Sequence, residues 1–329
     1  MSSIEILGLA SWVAESRSTT EEAIAAGVDV ADYRGWKQRS VAPDERHPSD
    51  LAAEVLERAL RRAGVSADEL DLVLYTGVSR DYLPSWSMAT EIAHRIGASC
   101  AGIDMTLGCL GILMGLEVAR GWLQDPRRRA IAVVTAEKWA HTVDRTDLRL
   151  TAIWAHSDGA AAVVVGREGT PRSLARFRGV SVVSRPEMNG YVLVKYGGTR
   201  HPVAPAGCDP FSRSIRADPK RELFARYIAD YERVIRDASA ELDVPVERVV
   251  CNQVSPGVVS ELEKRLGLAA QSIPRTGERH GHVGGADLVL GLEELLERGA
   301  CAGPVLLASS CPFCFAAGAV SMMPDSPAS

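Results

Sequence analysis

The chain has 329 residues, 46% of them hydrophobic and 24% charged, and a formal net charge of −5. That composition suits a globular protein with a core of normal size, excludes disorder, collagen and coiled coil as readings of the whole chain, and argues against a general nucleic-acid surface. No stretch approaches the roughly 18 consecutive apolar residues of a membrane-spanning helix, the leading MSSIEILGLA has no basic region ahead of its apolar run, and seven cysteines without disulfide-framework spacing point to a reducing, cytoplasmic compartment.

Ile4–Leu9 reads as a first strand. Asp50–Arg62 (DLAAEVLERALRR) repeats apolar residues at helical spacing, between an N-cap at Ser49 or Asp50 and a terminating Gly64. A buried strand follows at Asp71–Tyr75, a helix at Trp86–Ile96, a strand at Ala101–Met105 and a long buried helix at Cys109–Leu123. Ala130–Thr135 and Ala160–Val165 are further apolar strands. In the second half, Arg221–Leu242, Val258–Leu266 and Ala286–Glu297 read as helices, and Arg248–Cys251, Val305–Ala308 and Gly318–Met322 as strands. Arg185–Pro210, rich in Gly, Pro and polar residues, has the character of an insertion or lid loop. Strands and helices alternating with near-continuous apolar strands predict an α/β fold whose sheet is covered.

The two halves also match faintly. VLYTGVS at 73–79 and VVCNQVS at 249–255, and GLE at 115–117 and 291–293, share an offset of 176 positions. Each match alone is at the level of chance; a common offset with a common order of elements predicts an internal duplication. The boundary is expected near residues 167–172, giving halves 1–170 and 171–329.

Cys109 lies in TLGCLGILMG, between an expected strand and an expected helix, with Gly108 and Gly111 on either side. A helix N-terminus favours a thiolate, which is the setting of a nucleophile; a small buried core cysteine is the other reading. His282, in RHGHVGGAD, precedes a helix in the other half, and the offset brings Cys109 onto Gly285. Asp287 follows His282 by five residues. It either orients the imidazole as the third member of a nucleophile–base–orienter set or simply complements the helix dipole. His280 reads as a structural, hydrogen-bonded histidine. Cys311-Pro-Phe-Cys314 is a lone CxxC with no second pair at metal spacing. His47, His94, His141, His156 and His201 fit no ligand pattern, no phosphate-loop or dinucleotide motif occurs, and Asp158-Gly159-Ala160 reads as a turn before a strand. No cofactor or metal is expected.

These residues together resemble the ketoacyl-ACP synthase III family of the thiolase fold. The resemblance rests on Asp104–Gly111 (DMTLGCLG), Ser157–Val165 (SDGAAAVVV), Asn252-Gln253 at the family's His-Gln, Arg279-His280-Gly281 before the family's Asn, and the terminal block Val305–Val320. It implies a duplicated five-layered α-β-α-β-α fold, a homodimer, and a cysteine that takes an acyl group from CoA or acyl carrier protein. The family's condensing enzymes use a His and an Asn as donors to the oxyanion formed on decarboxylation. Here those positions hold Asn252 and His282, so the set Cys109, His282 and Asp287 resembles the family's acyltransferase branch from natural-product pathways, which moves an acyl group onto a hydroxyl or amine.

By position, the backbone N–H groups of Cys109 and Cys311 form the oxyanion hole, and Asn252 makes a polar contact to substrate. Trp86 and Phe313, with Leu83, Trp154 and Phe315, are candidates to line an acyl pocket, although core packing explains the same residues. The family's early Trp and Arg that hold CoA are not evident around Val30–Arg39, which favours a carrier protein as donor. Lys264-Arg265, with Arg213, Arg216, Lys220 and Arg221, would then dock an acidic carrier, or form a solvated face. The rival functions are a decarboxylative condensing enzyme and a non-catalytic partner subunit.

Overall fold

The computed structural model describes residues 2–25, 27, 35–83, 85–143, 147, 150, 153–208, 213–215, 220–299 and 303–323. The elements in chain order are β1 (Ile4–Val13), β2 (Arg17–Thr19), α1 (Thr20–Ala25), β3 (Gln38–Ser40), α2 (Pro48–Ala63), β4 (Leu70–Tyr75), α3 (Met88–Arg95), β5 (Ala101–Asp104), α4 (Gly111–Trp122), β6 (Ala130–Glu137), β7 (Gly159–Arg167), β8 (Ala175–Ser184), β9 (Val192–Val194), β10 (Arg213–Ile215), α5 (Lys220–Leu242), β11 (Val249–Cys251), α6 (Pro256–Leu266), α7 (Thr276–His280), α8 (Ala286–Glu297), β12 (Gly303–Cys311) and β13 (Cys314–Met322).

A nine-stranded mixed sheet runs β11-β12-β13-β8-β1-β7-β6-β4-β5. Read outward from the β1–β8 junction, its arms are β1-β7-β6-β4-β5 and β8-β13-β12-β11. With β5 left out, strands of the same rank occur in the same order in both. β4 pairs parallel with β5 and β6, β11 pairs parallel with β12, and the remaining pairs of this sheet are antiparallel. The offset of 176 positions carries Val73 of β4 onto Val249 of β11, and Gly115 of α4 onto Gly291 of α8.

The period-2 alternation of the strands divides the core into layers. Leu72, Leu74, Ile131 and Val133 on one arm, and Val305, Leu307, Ala316 and Val320 on the other, point into one shared cluster with α4 and α8. Their neighbours Val73, Tyr75, Ala132 and Val134 face outward onto α2 and α3. On the other arm, Leu306, Ala308, Phe315 and Ala317 face α5 and α6. Helices α2/α3, one arm, α4/α8, the other arm and α5/α6 thus make the five layers of the thiolase fold. α2 shows how locally determined the pieces are. Pro48 opens it, Asp50 accepts the N–H of His47 at 2.8 Å, and Gly64 closes it at φ 64°.

Three local expectations need correction. The helix expected from Cys109 begins at Gly111, after a tight 3₁₀ turn over Gly108–Leu110. The helix expected from Trp86 begins at Met88, where the Ser87 hydroxyl accepts the N–H of Thr90. β8 has no counterpart in the apolar-run reading, because Arg176 and Arg178 interrupt its apolar positions; it is an amphipathic strand with alternating burial. β9, inside Arg185–Pro210, pairs with β10 beyond it. No helix among the described residues is long and apolar enough to cross a membrane.

The central helices approach the sheet at their glycines. A Cβ on Gly115 would lie 2.5 Å from Cγ1 of Val133, and one on Gly291 would press as hard on Cγ1 of Val250. Gly115→Ala and Gly291→Ala are each expected to cost about 1–3 kcal/mol by overpacking. Urea unfolding at neutral pH checks this, and unchanged midpoints would show that the layers have slack.

Candidate active site

The turn that carries Cys109 is shaped by Gly108 at φ 56°, and by the absence of a side chain at Gly111, where a Cβ would meet the Thr76 carbonyl at 2.5 Å. Behind it, Asp104 at the end of β5 accepts the N–H groups of Met88 (3.0 Å) and Ala89 (2.8 Å) at the start of α3, and pairs with Arg80 at 2.6 Å. The hydroxyl of Ser309 in β12 donates to the carbonyl of Cys109 at 2.6 Å, which seats the second arm of the sheet against the first.

His282 reaches the same place from the other arm. It follows α7 and Gly281, whose φ of 76° and close approach to Ser157 and Ala155 leave no room for a side chain. Its backbone is fixed on both sides: its N–H donates to Ala155 at 2.8 Å and its carbonyl accepts from Ser157 at 2.9 Å. Asp158, on that same loop, accepts from Ala42 (2.8 Å) and Ala140 (2.7 Å), so the turn reading of Asp158-Gly159 acquires a structural job.

Sγ of Cys109 lies 3.0 Å from Nε2 of His282, and Nδ1 of His282 lies 2.5 Å from Oδ2 of Asp287. Asp287, fully buried in the first turn of α8, also accepts the N–H of Val283 at 2.9 Å and that of Gln253 at 2.7 Å. Burial alone would lower the pKa of His282, but the charges of Cys109 and Asp287, with a hydrogen bond to each, outweigh it and push the value up to about 10. The three side chains have the geometry of a nucleophile, a base and an orienter in line.

The other expected residues divide. Asn252 is fully buried with its amide engaged by the protein. Its Oδ1 accepts from Tyr231 (2.5 Å) and Ser310 (3.2 Å), and its Nδ2 donates to the carbonyl of Ser310 at 2.9 Å. Beside the substrate contact expected of it, Asn252 acts as a strut beneath β12. Gln253 is likewise structural, its side chain bonded to Cys251, Pro274 and Gly277. Cys311 is buried and pairs with Cys314 across the β12–β13 hairpin, whose turn carries Phe313 against the central cluster.

Trp86, expected to line an acyl pocket, packs on the outer core beside Tyr82, 5.3 Å between ring centroids, whereas Phe313 lies against the central cluster. Leu83 is 66% exposed, Phe315 belongs to the outer core under α5, and Trp154 is buried with Trp36. Of the Val30–Arg39 stretch read for CoA, residues 30–34 lie outside the described ones, as does Arg216; the side chains of Lys220 and Arg221 do too. Arg265 is ion-paired with Glu261 and Glu232. His280 accepts from Arg17 at 3.3 Å, and burial followed by the charges of Arg17 and Arg279 lowers it to about 4.

A group beside His282 has no counterpart among the sequence expectations. The ring of His156 is 5.2 Å from that of His282 and 4.7 Å from that of Trp139, and Arg213 reaches both His156 and Trp139. Arg213, expected on a carrier-docking face, is therefore turned inward. The available signal for His156 is its place next to the SDGAAAVVV block.

The family model for 3-oxoacyl-[acyl-carrier-protein (ACP)] synthase III matches residues 103–180, from the end of β5 through Cys109 into β8. The beta-ketoacyl-[acyl-carrier-protein] synthase III of Rhodopirellula baltica is 25% identical over 316 residues, covering 90% of this chain and 91% of the relative. That of Paramagnetospirillum magneticum is 28% identical over 306 residues, covering 90% of each. Over about nine-tenths of its length the chain is thus similar to the ketoacyl-ACP synthase III family. Solved structures agree on the fold. A single-residue variant of OleA from Xanthomonas campestris superposes with a TM-score of 0.82 at 24% identity, covering 97% of this chain and 98% of that one. The 3-oxoacyl-(acyl carrier protein) synthase III of Xanthomonas oryzae pv. oryzae superposes with a TM-score of 0.82 at 22% identity and the same coverage. These similarities support an enzyme of the condensing or acyl-transferring kind.

The raised pKa of His282 has a definite sign. A folded value of about 10 against an ordinary 6.5 means that the stabilisation is complete below pH 6.5 and is lost as pH rises toward 10. Asp287→Asn removes part of it. The difference in unfolding free energy between wild type and this variant should therefore be larger at pH 6.5 than near pH 10, on top of a pH-independent offset from the Val283 and Gln253 contacts. Urea unfolding across this range checks it; a difference that grows with pH would contradict the assignment.

Proposed function

We propose that the enzyme moves an acyl group from an acyl carrier protein or CoA thioester, through an acyl-Cys109 intermediate, to a hydroxyl or amine of a small-molecule acceptor in secondary metabolism. The sulfur of Cys109 attacks the thioester carbonyl carbon, the carbon–sulfur bond to the donor breaks, and His282 returns its proton to the departing thiolate. His282 then takes the proton of the acceptor as it attacks the acyl-cysteine, and Cys109 leaves as thiolate. Backbone N–H groups of Cys109 and Cys311 serve the tetrahedral oxyanion. Asp287 holds the imidazole throughout.

The observation that carries this reading is the unequal state of the two exchanged side chains. His282 faces Cys109 at 3.0 Å, whereas the amide of Asn252 is engaged by Tyr231 and Ser310. Decarboxylative condensation needs donors aimed at a developing enolate, and Asn252 already gives one of its two amide N–H groups to the Ser310 carbonyl. The second reading, a condensing enzyme, is supported by the names of the relatives, which are beta-ketoacyl synthases. A homodimer suits either reading: β5 is an edge strand with Ile103 exposed, beside Tyr82 (67% exposed) and Leu83 (66% exposed).

Intact-protein mass spectrometry after incubation with acetyl-, isobutyryl- and benzoyl-CoA and the matching carrier-protein thioesters tests the proposal. An adduct of one acyl mass is expected in wild type and absent from Cys109→Ala. His282→Ala should retain slow acylation and lose transfer to an acceptor by about two orders of magnitude or more, the size of a general-base contribution. Release of carbon dioxide with a 3-ketoacyl product from a malonyl thioester would instead establish condensation.

A further inference from the structure

Beside the Cys–His–Asp line lie three polar side chains that the proposed reaction leaves unused. They are Glu137 at the end of β6, Arg213 on β10, and His156 on the loop leading into β7. Nη1 of Arg213 is 2.6 Å from Nδ1 of His156. A guanidinium has no acceptor, so Nδ1 of His156 carries the lone pair and the single ring proton sits on Nε2. Arg213 lies over the ring of Trp139, 4.9 Å from its centroid, which fixes the direction of approach. Glu137 is the acid that acts on Arg213; burial pushes its pKa up to about 7 against the donors of Val78 and Ser79 and the charge of Arg213, so it opposes the guanidinium fully only above neutral pH. It is fully buried and accepts from Val78 at 2.9 Å and from the hydroxyl of Ser79 at 2.9 Å.

The charged and titratable groups around His156 are Arg213 from β10, His282 from the loop before α8, and Arg39 from β3. Burial comes first, and these three charges next, in pushing its pKa well below the ordinary value. Glu137 and Cys109 act on the pair through Arg213. His156 and His282 are backbone bridge partners, so their rings keep a fixed relation. They are opposites: His282, 2% exposed, has its pKa raised between two anions, whereas His156 is half-buried among cations and retains surface for a ligand.

We propose that Arg213 and His156 form a second pair in this site, in which the guanidinium fixes His156 as the neutral Nε2–H tautomer and His156 offers that N–H to an oxygen of the bound acyl thioester or acceptor. The second part rests on the acyl-transfer reading; the first does not. His156 is then a substrate-binding donor and Arg213 its positioning residue. The site keeps one histidine that exchanges protons and one that only donates a hydrogen bond, so a single base competes for the acceptor proton.

Two-bond ¹⁵N–¹H correlation spectra of the whole protein labelled in histidine test the first part without any substrate. His156 should show one Nε2–H tautomer from about pH 6 to 9, across the range where an ordinary histidine titrates. Arg213→Met should mix the tautomers and Arg213→Lys should keep the single one. Titration of wild-type His156 near pH 6.5, or an unchanged spectrum in Arg213→Met, would overturn the pair. The second part is read with the thioester that labels Cys109. His156→Phe should lower transfer kcat/KM about tenfold, the loss of one hydrogen bond, with labelling intact, while His156→Gln, which keeps a donor, stays within about threefold. Equal losses in both variants, or none in either, would refute the donor role. Failure of every thioester to label Cys109 would count against acyl transfer itself and leave the spectra to decide the tautomer.

Discussion

A carboxylate removed from water must have its oxygens met by donors or its cost destabilises the fold. Asp287 is that carboxylate, and the site depends on how it is met. One oxygen takes the N–H of Val283; the other takes the N–H of Gln253 and faces the imidazole of His282. Those donors come from the end of β11 and from the loop before α8, and α8 supplies the acid from its first turn, where a negative charge is also favoured by the helix dipole. The same interactions that neutralise the buried charge therefore set the imidazole's angle toward Cys109. Stability and chemistry are here two effects of one hydrogen-bonded group.

The nucleophile reaches the imidazole because the two arms of the sheet share one interior. α4 and α8 are sandwiched between them, and each begins at the centre with a glycine-assisted turn. Cys109 enters at the start of one helix and His282 just before the start of the other. Ser309, from the far arm, bonds to the carbonyl of Cys109 and so fixes their relative height. An arm taken alone would hold either the sulfur or the base.

Much of this was legible in the sequence because it rests on local rules. The apolar runs of β4, β6 and β7 and the helical stripe of α2 are self-announcing, and the shared offset of GLE at 115–117 and 291–293 falls on two glycines that each lie against a valine of a neighbouring strand. β8 escaped because its arginines hide its alternation. At the site, Cys109, His282 and Asp287 could be read because each flanks a helix start next to glycines. Arg213, His156 and Glu137 could not, since they come from three elements far apart in sequence whose meeting depends on the loop at 155–158. That Trp86 and Phe313 pack in different layers was not legible for a simpler reason: composition says that an aromatic is buried, and only the side of the sheet decides against which layer.

The seating of Asn252 gives the site a direction of its own. The residues at 252 and 282 look like a simple exchange when the motifs are set side by side, but their surroundings have not been exchanged with them. An Asn252→His change would bring a ring into space bounded by the Tyr231 hydroxyl and the Ser310 carbonyl, and His282→Asn would turn an amide toward an acid that is held against an imidazole nitrogen. Swapping the two side chains back would thus not swap their two environments. The neighbours Tyr231, Ser310 and Asp287 lock each side chain into its own place, and they set how many positions must change together for one chemistry to become the other.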